Sequence, residues 1–117
     1  MKTTTTGTAG HNFHALELSL ELIRRLRPLV GRLRACDANL ADQIVRAASS
    51  AAANLGEGNR RTGKDRTYRF RIAAGSADEV RVHLRVAVAW GWLSDEDVLE
   101  SRETLDRLVA VTWRLTH

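Results

Sequence analysis

The sequence predicts an all-α protein, an antiparallel up-down-up-down four-helix bundle, and three observations support this. Apolar residues recur every three or four positions through four segments of the chain. The connections between these segments are short, so consecutive helices must run antiparallel. One Pro among many Ala, Leu and Arg favours helix over strand. The 117 residues are the length of one domain, and no internal repeat is visible.

Helix one is predicted from Asn12 to about Arg34, and the bundle as a whole over residues 12–117. The preceding residues, 1–11, are Thr-rich and without periodicity, so we expect a disordered tail. Pro28 lacks a backbone donor and clashes with the preceding turn, so we expect a kink there or two short helices. The predicted inner stripe consists of Phe13, Leu16, Leu20, Ile23, Leu26, Val30 and Leu33.

Helix two is expected to begin after a cap at Asp37 or Asn39, because short polar side chains satisfy the first free amides. Gly58 is the expected left-handed terminator of this helix. An Ala-rich run at residues 47–53 would let a neighbouring helix approach closely. The inner stripe consists of Leu40, Ile44, Ala47, Ala51 and Leu55.

Helix three is predicted to start at Thr62, whose hydroxyl would accept a hydrogen bond from the amide of Asp65. It should end near Trp90, with Gly91 as terminator. Its inner residues alternate in spacings of three and four, as in the heptad seam of a coiled coil. They are Phe70, Ala73, Ala77, Val80, Leu84 and Ala87.

Helix four is predicted to follow a cap at Ser94, with acids in its first turn where the helix dipole favours them. Its inner face consists of Leu105, Leu108, Val109, Thr112 and Leu115. Some apolar residues of helices three and four do not fit one inward stripe, so we expect several of them in a subunit or partner interface. They are Val82, Val86, Val88, Trp92 and Trp113.

Composition argues against several classes of protein. One Cys excludes a disulfide scaffold, and four scattered His argue against a zinc site, so we expect neither metal nor cofactor. No apolar run approaches the length of a membrane span, and we expect a cytoplasmic protein. No Ser lies in a Gly-x-Ser-x-Gly motif or next to a His in the sequence. The spacing of Arg and His that some helical ribonucleases use is also missing, so we expect no enzyme activity. Glu79 and His83, four residues apart, are interpreted as a surface ion pair.

Positive charge is concentrated in two segments, although the whole chain carries only +4. Residues 24–34 contain five Arg and no acid, and residues 60–71 contain six basic residues and one acid. The planar guanidinium group of Arg donates two parallel hydrogen bonds that match phosphate oxygens, so these segments predict non-specific nucleic-acid binding. The alternative is that they form a solvated face or pair with acids of another subunit. The predicted contacts are Arg60, Arg61, Lys64, Arg66, Arg69 and Arg71, with Arg24, Arg25, Arg32 and Arg34 as a second group.

Polar residues at inward positions of helices two and three predict a second cluster. Buried polar groups need partners, so we expect these side chains to meet in a network that fixes helix register; a binding site is the alternative reading. The members are Ser50, Asn54, Glu57, Ser76 and Glu79, with Arg46 or Arg69 as partner. Arg69 therefore stands in both predictions.

The chain also resembles a known family. Residues 46–50, 54–58, 68–70, 73–76 and 90–94, with Arg61 and Glu79, are similar to the four-helix-bundle proteins encoded in intervening sequences of bacterial large-subunit ribosomal RNA genes. The resemblance implies a bacterial cytosolic protein that assembles as a homopentamer. A relative, the accessory variability protein of diversity-generating retroelements, implies nucleic-acid binding through a basic surface and docking on a reverse transcriptase.

Two functions are therefore open. The first is a non-enzymatic, oligomeric protein that binds RNA or DNA, or acts as a scaffold, through its Arg-rich surface. The second is a structural or adaptor module that binds a partner protein and has no nucleic-acid role.

Overall fold

The molecule is a four-helix bundle, as predicted. The computed structural model describes residues 10–117, with side chains from His14 onward. The helices are α1 (Gly10–Cys36), α2 (Ala38–Asn59), α3 (Gly63–Ala89) and α4 (Asp95–Thr116). Each helix packs against its neighbours in sequence, and α4 closes the bundle against α1. The predicted disordered tail lies outside the described residues except for residues 10 and 11, which belong to α1.

Helix α1 runs without a break through Pro28, so the expectation of two short helices was wrong. Pro28 itself is exposed, while Leu26, Leu29 and Leu33 on either side of it are buried. A Pro inside a helix costs about 3 kcal/mol. Burying one Leu side chain returns roughly 1.5–3 kcal/mol, so leucines on both sides of the Pro keep the helix continuous.

The core face of α1 differs from the predicted stripe. Leu26 and Leu33 are buried as expected, but Leu16, Ile23 and Val30 are only partly buried at the edge of the core. The residues that fill the core instead are Ala15, Leu18, Leu22 and Leu29. Helix α1 therefore has two apolar stripes with helical spacing, and only one of them faces the bundle.

The helix starts agree with the sequence at all three positions, and the capping bonds agree at two. Asp37 accepts a hydrogen bond from the amide of Leu40 at 3.1 Å, and Ser94 forms a reciprocal capping box with Asp97. Thr62 is the N-cap residue of α3 as predicted, but the predicted bond from its side chain was wrong, because that side chain makes no capping bond. The carboxylate of Asp65 instead accepts a hydrogen bond from Arg61 at 3.0 Å.

Gly58 does not terminate α2, which continues to Asn59. The described glycines with positive φ are Gly63 (+60°) and Gly91 (+80°), and Gly91 ends α3 as predicted. A Cβ at position 58 would lie 2.7 Å from Cε1 of the buried Phe70 ring. Glycine is needed there because α2 and this ring are in direct contact.

Gly58→Ala is expected to lower the free energy of unfolding by about 1–3 kcal/mol, the usual cost of overpacking a tight core. Phe70 is fully buried, so its ring cannot swing into solvent without leaving the core. Urea denaturation followed by circular dichroism measures the effect. Gly56→Ala is the matched control, because a Cβ there meets nothing within 4 Å, and the helix gains up to about 1 kcal/mol. Equal stability of the two variants would contradict this packing account.

The remaining core follows the predicted pattern closely. All six seam residues of α3 are buried, as are Leu105, Leu108 and Thr112 of α4. Val109 and Leu115 are partly buried against the same core. Within residues 10–117, no helix combines the length and apolar character needed to cross a membrane.

Candidate nucleic-acid interface

The antiparallel topology places the two basic segments in different parts of the bundle. The end of α2 and the start of α3 meet at one end, around residues 60–62. The last turn of α1 lies at the other end, where Arg32 reaches Asp97 of α4 and Arg34 reaches Asp42 of α2. The 22 residues of α2 span about 33 Å between these ends. The two segments therefore do not form one continuous surface.

Five basic residues at the α2–α3 end form what we call the turn cluster. Lys64 and Arg71 lie seven residues apart, on one face of α3, and both are exposed. Arg66 is half-buried, with its guanidinium 5.2 Å from the centre of the Phe70 ring. The full turn cluster comprises Arg60, Arg61, Lys64, Arg66 and Arg71.

Two acids lie within the turn cluster but do not neutralise it. Glu57 accepts hydrogen bonds from Arg60 at 2.9 Å and from Arg61 at 2.7 Å. The bond from Arg61 lowers the pKa of the Glu57 carboxyl below its ordinary value, so this group stays charged near neutral pH. Residues 57–71 contain six basic residues against two acids, a net +4. Lys64 and Arg71 are exposed and make no ion pair within residues 10–117, so the turn cluster keeps two cations that need not leave a carboxylate to contact a phosphate.

The second predicted group, on α1, is largely paired with acids from other helices. Arg25 contacts Glu21 at 3.2 Å and Glu100 at 3.0 Å. Arg32 donates to Asp97 at 3.1 Å, and this bond, together with the Ser94 cap, lowers the pKa of Asp97 to about 2.

The two other predicted contacts on α1 differ from each other. Arg34 contacts Asp42. Arg24 is exposed and makes no ion pair within the described part of the chain.

The predicted polar network exists between α2 and α3 with four members. Ser76 donates to the hydroxyl of Ser50 at 3.0 Å, and Asn54 donates to the Ser50 carbonyl at 2.9 Å. Arg69 reaches the Asn54 side-chain oxygen in a long hydrogen bond of 3.5 Å. The Nε of Arg69 is buried without a hydrogen-bond partner. Arg69 therefore lies in the network and not with the exposed turn cluster.

The other residues expected in this network lie elsewhere. Arg46 is exposed on α2 and makes no hydrogen bond within residues 10–117. Glu57 is occupied by Arg60 and Arg61. Glu79 contacts His83 at 3.2 Å, as expected for a surface pair. Their spacing along the helices predicted that these side chains lie between α2 and α3. In the structure they lie on the solvent side of those helices.

An apolar outer stripe on α3 was only partly anticipated. Val82 is 50% exposed and Val86 is 36% exposed, as the sequence suggested, whereas Val88 and Trp92 pack against the core. The stripe also includes residues that the sequence analysis missed, although they share its spacing of three and four. Its members are Tyr68, Ile72, Val82, Val86 and Trp90, with Gly75 and Glu79 between them.

No three His, Cys, Asp or Glu side chains among the described residues come together as ligands for a metal ion.

Comparisons with known proteins point to one family. The model of the family described as "23S rRNA-intervening sequence protein" matches residues 12–113. A crystal structure of a protein of unknown function from the S23 ribosomal protein family of Bacteroides thetaiotaomicron VPI-5482 superposes with a TM-score of 0.78. It is 19% identical, over 87% of this chain and 97% of that one, so it supports the fold alone. The curated proteins contain no significant match.

Proposed function

We propose that this chain, which belongs to the 23S rRNA-intervening sequence protein family, is a non-enzymatic oligomeric protein of the bacterial cytoplasm. Its role is to bind RNA or DNA, or to act as a scaffold on nucleic acid. The contacts are made by the turn cluster to phosphate oxygens, without reading bases. This assignment carries no catalytic residue, metal or cofactor.

The observation that carries the proposal is the exposed charge of the turn cluster. Arg60, Arg61, Lys64 and Arg71 are exposed, and the five cations of the turn cluster against Glu57 and Asp65 leave a net +3. Guanidinium forks pair with phosphate oxygens in two parallel bonds, and each contact releases condensed counterions. Contacts to phosphate carry no sequence information directly, so binding through these cations depends on the backbone and little on sequence.

The α1 group supports binding less than the sequence suggested. Arg25, Arg32 and Arg34 would have to leave Glu100, Asp97 and Asp42 before reaching a phosphate. Arg24 makes no ion pair within the described residues, but it belongs to the α1 segment, which forms no continuous surface with the turn cluster. Arg69 serves the polar network, and we assign it a structural role.

Oligomerisation is supported by two apolar surfaces on different sides of one bundle. The edge stripe of α1, with Leu16, Ile23 and Val30, lies away from the outer stripe of α3. Two unlike surfaces favour head-to-tail contact, which closes into a ring when the rotation permits. We propose the homopentamer that the family resemblance implies. A ring repeats the turn cluster, and multivalent contact strengthens weak phosphate binding.

A second candidate is a protein-interaction module without a nucleic-acid role. The outer stripe of α3 favours it, because exposed Tyr68 and Trp90 are the residue types that anchor protein interfaces. The partner in that case is another protein, such as a reverse transcriptase. Charge reversal in the turn cluster would leave this activity intact, which separates the two candidates.

Fluorescence anisotropy with labelled RNA and DNA of unrelated sequences tests the proposal. At about 50 mM salt, where electrostatic binding is strong, we expect similar affinities for all sequences of one length. A protein that discriminates sharply between sequences, or binds none of them, would overturn it.

A further inference from the structure

A groove between α3 and α4 is unrelated to the turn cluster. Its volume is about 460 Å³, within the range of small-molecule sites. It lies beside the second half of α3, where Leu84 and Val88 face Leu105 of α4. Leu84 and Leu105 are buried, so the groove has a continuous apolar floor that belongs to the core.

Three Arg side chains line the rim of this groove. Arg81 donates to Asp106 at 2.9 Å, and Arg102 donates to Asp95 at 3.3 Å. These bonds hold two guanidinium groups in place at the groove. Arg85 is exposed and makes no ion pair within residues 10–117.

The rim has unused capacity for an anion. Three guanidinium groups against two carboxylates leave one positive charge. The Nε of Arg81 is buried without a hydrogen-bond partner, so the rim also contains a donor that no protein group satisfies. Asp95 and Asp106 are mainly exposed, and Val88 and Ala89 keep accessible apolar surface at the groove.

We propose that the α3–α4 groove binds a small phosphate monoester with a flat aromatic body, such as a mononucleotide. The aromatic body lies on Val88 and Ala89, above the buried Leu84 and Leu105, and the phosphate lies at Arg85, on the rim that Arg81 and Arg102 share. Arg is the side chain best matched to phosphate, because its planar fork donates two parallel bonds. This site is independent of the proposed function, since no residue of the turn cluster lines the groove.

Two-dimensional NMR with adenosine monophosphate as probe tests the inference. We expect saturable shifts of the backbone amides of Val88, Ala89 and Leu105. Adenosine and inorganic phosphate, each carrying one half of the ligand, should bind at least about tenfold more weakly. A free nucleotide and the 5′ end of a nucleic-acid chain would both place a phosphate monoester at Arg85. A parallel titration with a 5′-phosphorylated trinucleotide distinguishes these two sources.

Two variants separate the groove from general charge. Arg85→Glu and the steric block Ala89→Phe should each weaken binding at least about tenfold, since both residues line the groove and are exposed. Arg24→Glu makes the same charge change on α1 and should leave binding unchanged. Shifts that map outside the groove, or equal losses in Arg85→Glu and Arg24→Glu, would overturn the inference.

Discussion

Charge reversal at Lys64 and Arg71 is expected to weaken binding to RNA by about 100-fold at low salt. Hydrogen bonds to charged groups contribute about 1.5–3 kcal/mol each, and two lost contacts at the lower value give this factor. Both side chains are exposed and make no ion pair within residues 10–117, so Lys64→Glu with Arg71→Glu breaks no native interaction. Anisotropy titration gives the affinity, and circular dichroism confirms that the fold is kept.

The matched control reverses the same number of charges on α1. Arg24 and Arg27 are exposed and, within the described residues, have no acidic partner. Arg24→Glu with Arg27→Glu should weaken binding by less than about fivefold, because only long-range attraction is lost. Equal losses in the two double variants would mean that net charge, and not the turn cluster, determines binding.

Dissociation of the oligomer is the second large effect, expected from Val82→Glu with Val86→Glu. Both valines are substantially exposed in the single bundle, so the variant should fold while its outer stripe becomes charged. Charges buried without partners in an interface are strongly unfavourable. Light scattering should show a fall from a multiple of the chain mass to 13.0 kDa.

Leu99→Glu provides the control for this prediction. Leu99 is 48% exposed on α4, outside the outer stripe, so its substitution should leave the assembly unchanged. A wild-type protein that is already monomeric, or a double variant with unchanged mass, would contradict the assignment of this surface. Weaker nucleic-acid binding by the monomeric variant would further support a multivalent mode of contact.

Local signals in the sequence predicted much of the fold. Asp37 and Ser94 cap helices through bonds that span three residues, so their roles follow from the adjacent sequence. The seam of α3 was equally clear, because it is a single stripe of constant spacing. In α1, two stripes have the same spacing, and only packing against α2 and α4 selects the one with Leu18 and Leu22. Gly58 was misjudged because its contact, Phe70, lies on another helix.

The charge map required the three-dimensional structure for the same reason. Arg25 and Glu100 are 75 positions apart in the chain, and Arg32 and Asp97 are 65 apart. These acids lie far from the α1 group in the sequence, although in the folded chain they pair with its arginines directly. The turn cluster was easier to predict, because its acids, Glu57 among them, are neighbours in sequence.

The partner of the polar network could not be chosen from spacing. Arg46 and Arg69 both lie near the predicted polar residues along the chain. The way α2 packs against α3 brings Arg69 to Asn54 and leaves Arg46 exposed to solvent.

The salt dependence of RNA binding tests the central claim, phosphate contact by the turn cluster, most directly. Each phosphate contact on a single strand contributes about −0.7 to the slope of log K against log salt. For the wild-type chain we expect a slope steeper than about −2, and Lys64→Glu with Arg71→Glu should reduce its magnitude by about 1.4. Undetectable binding at about 50 mM salt, or an affinity that does not change with salt, would contradict the claim.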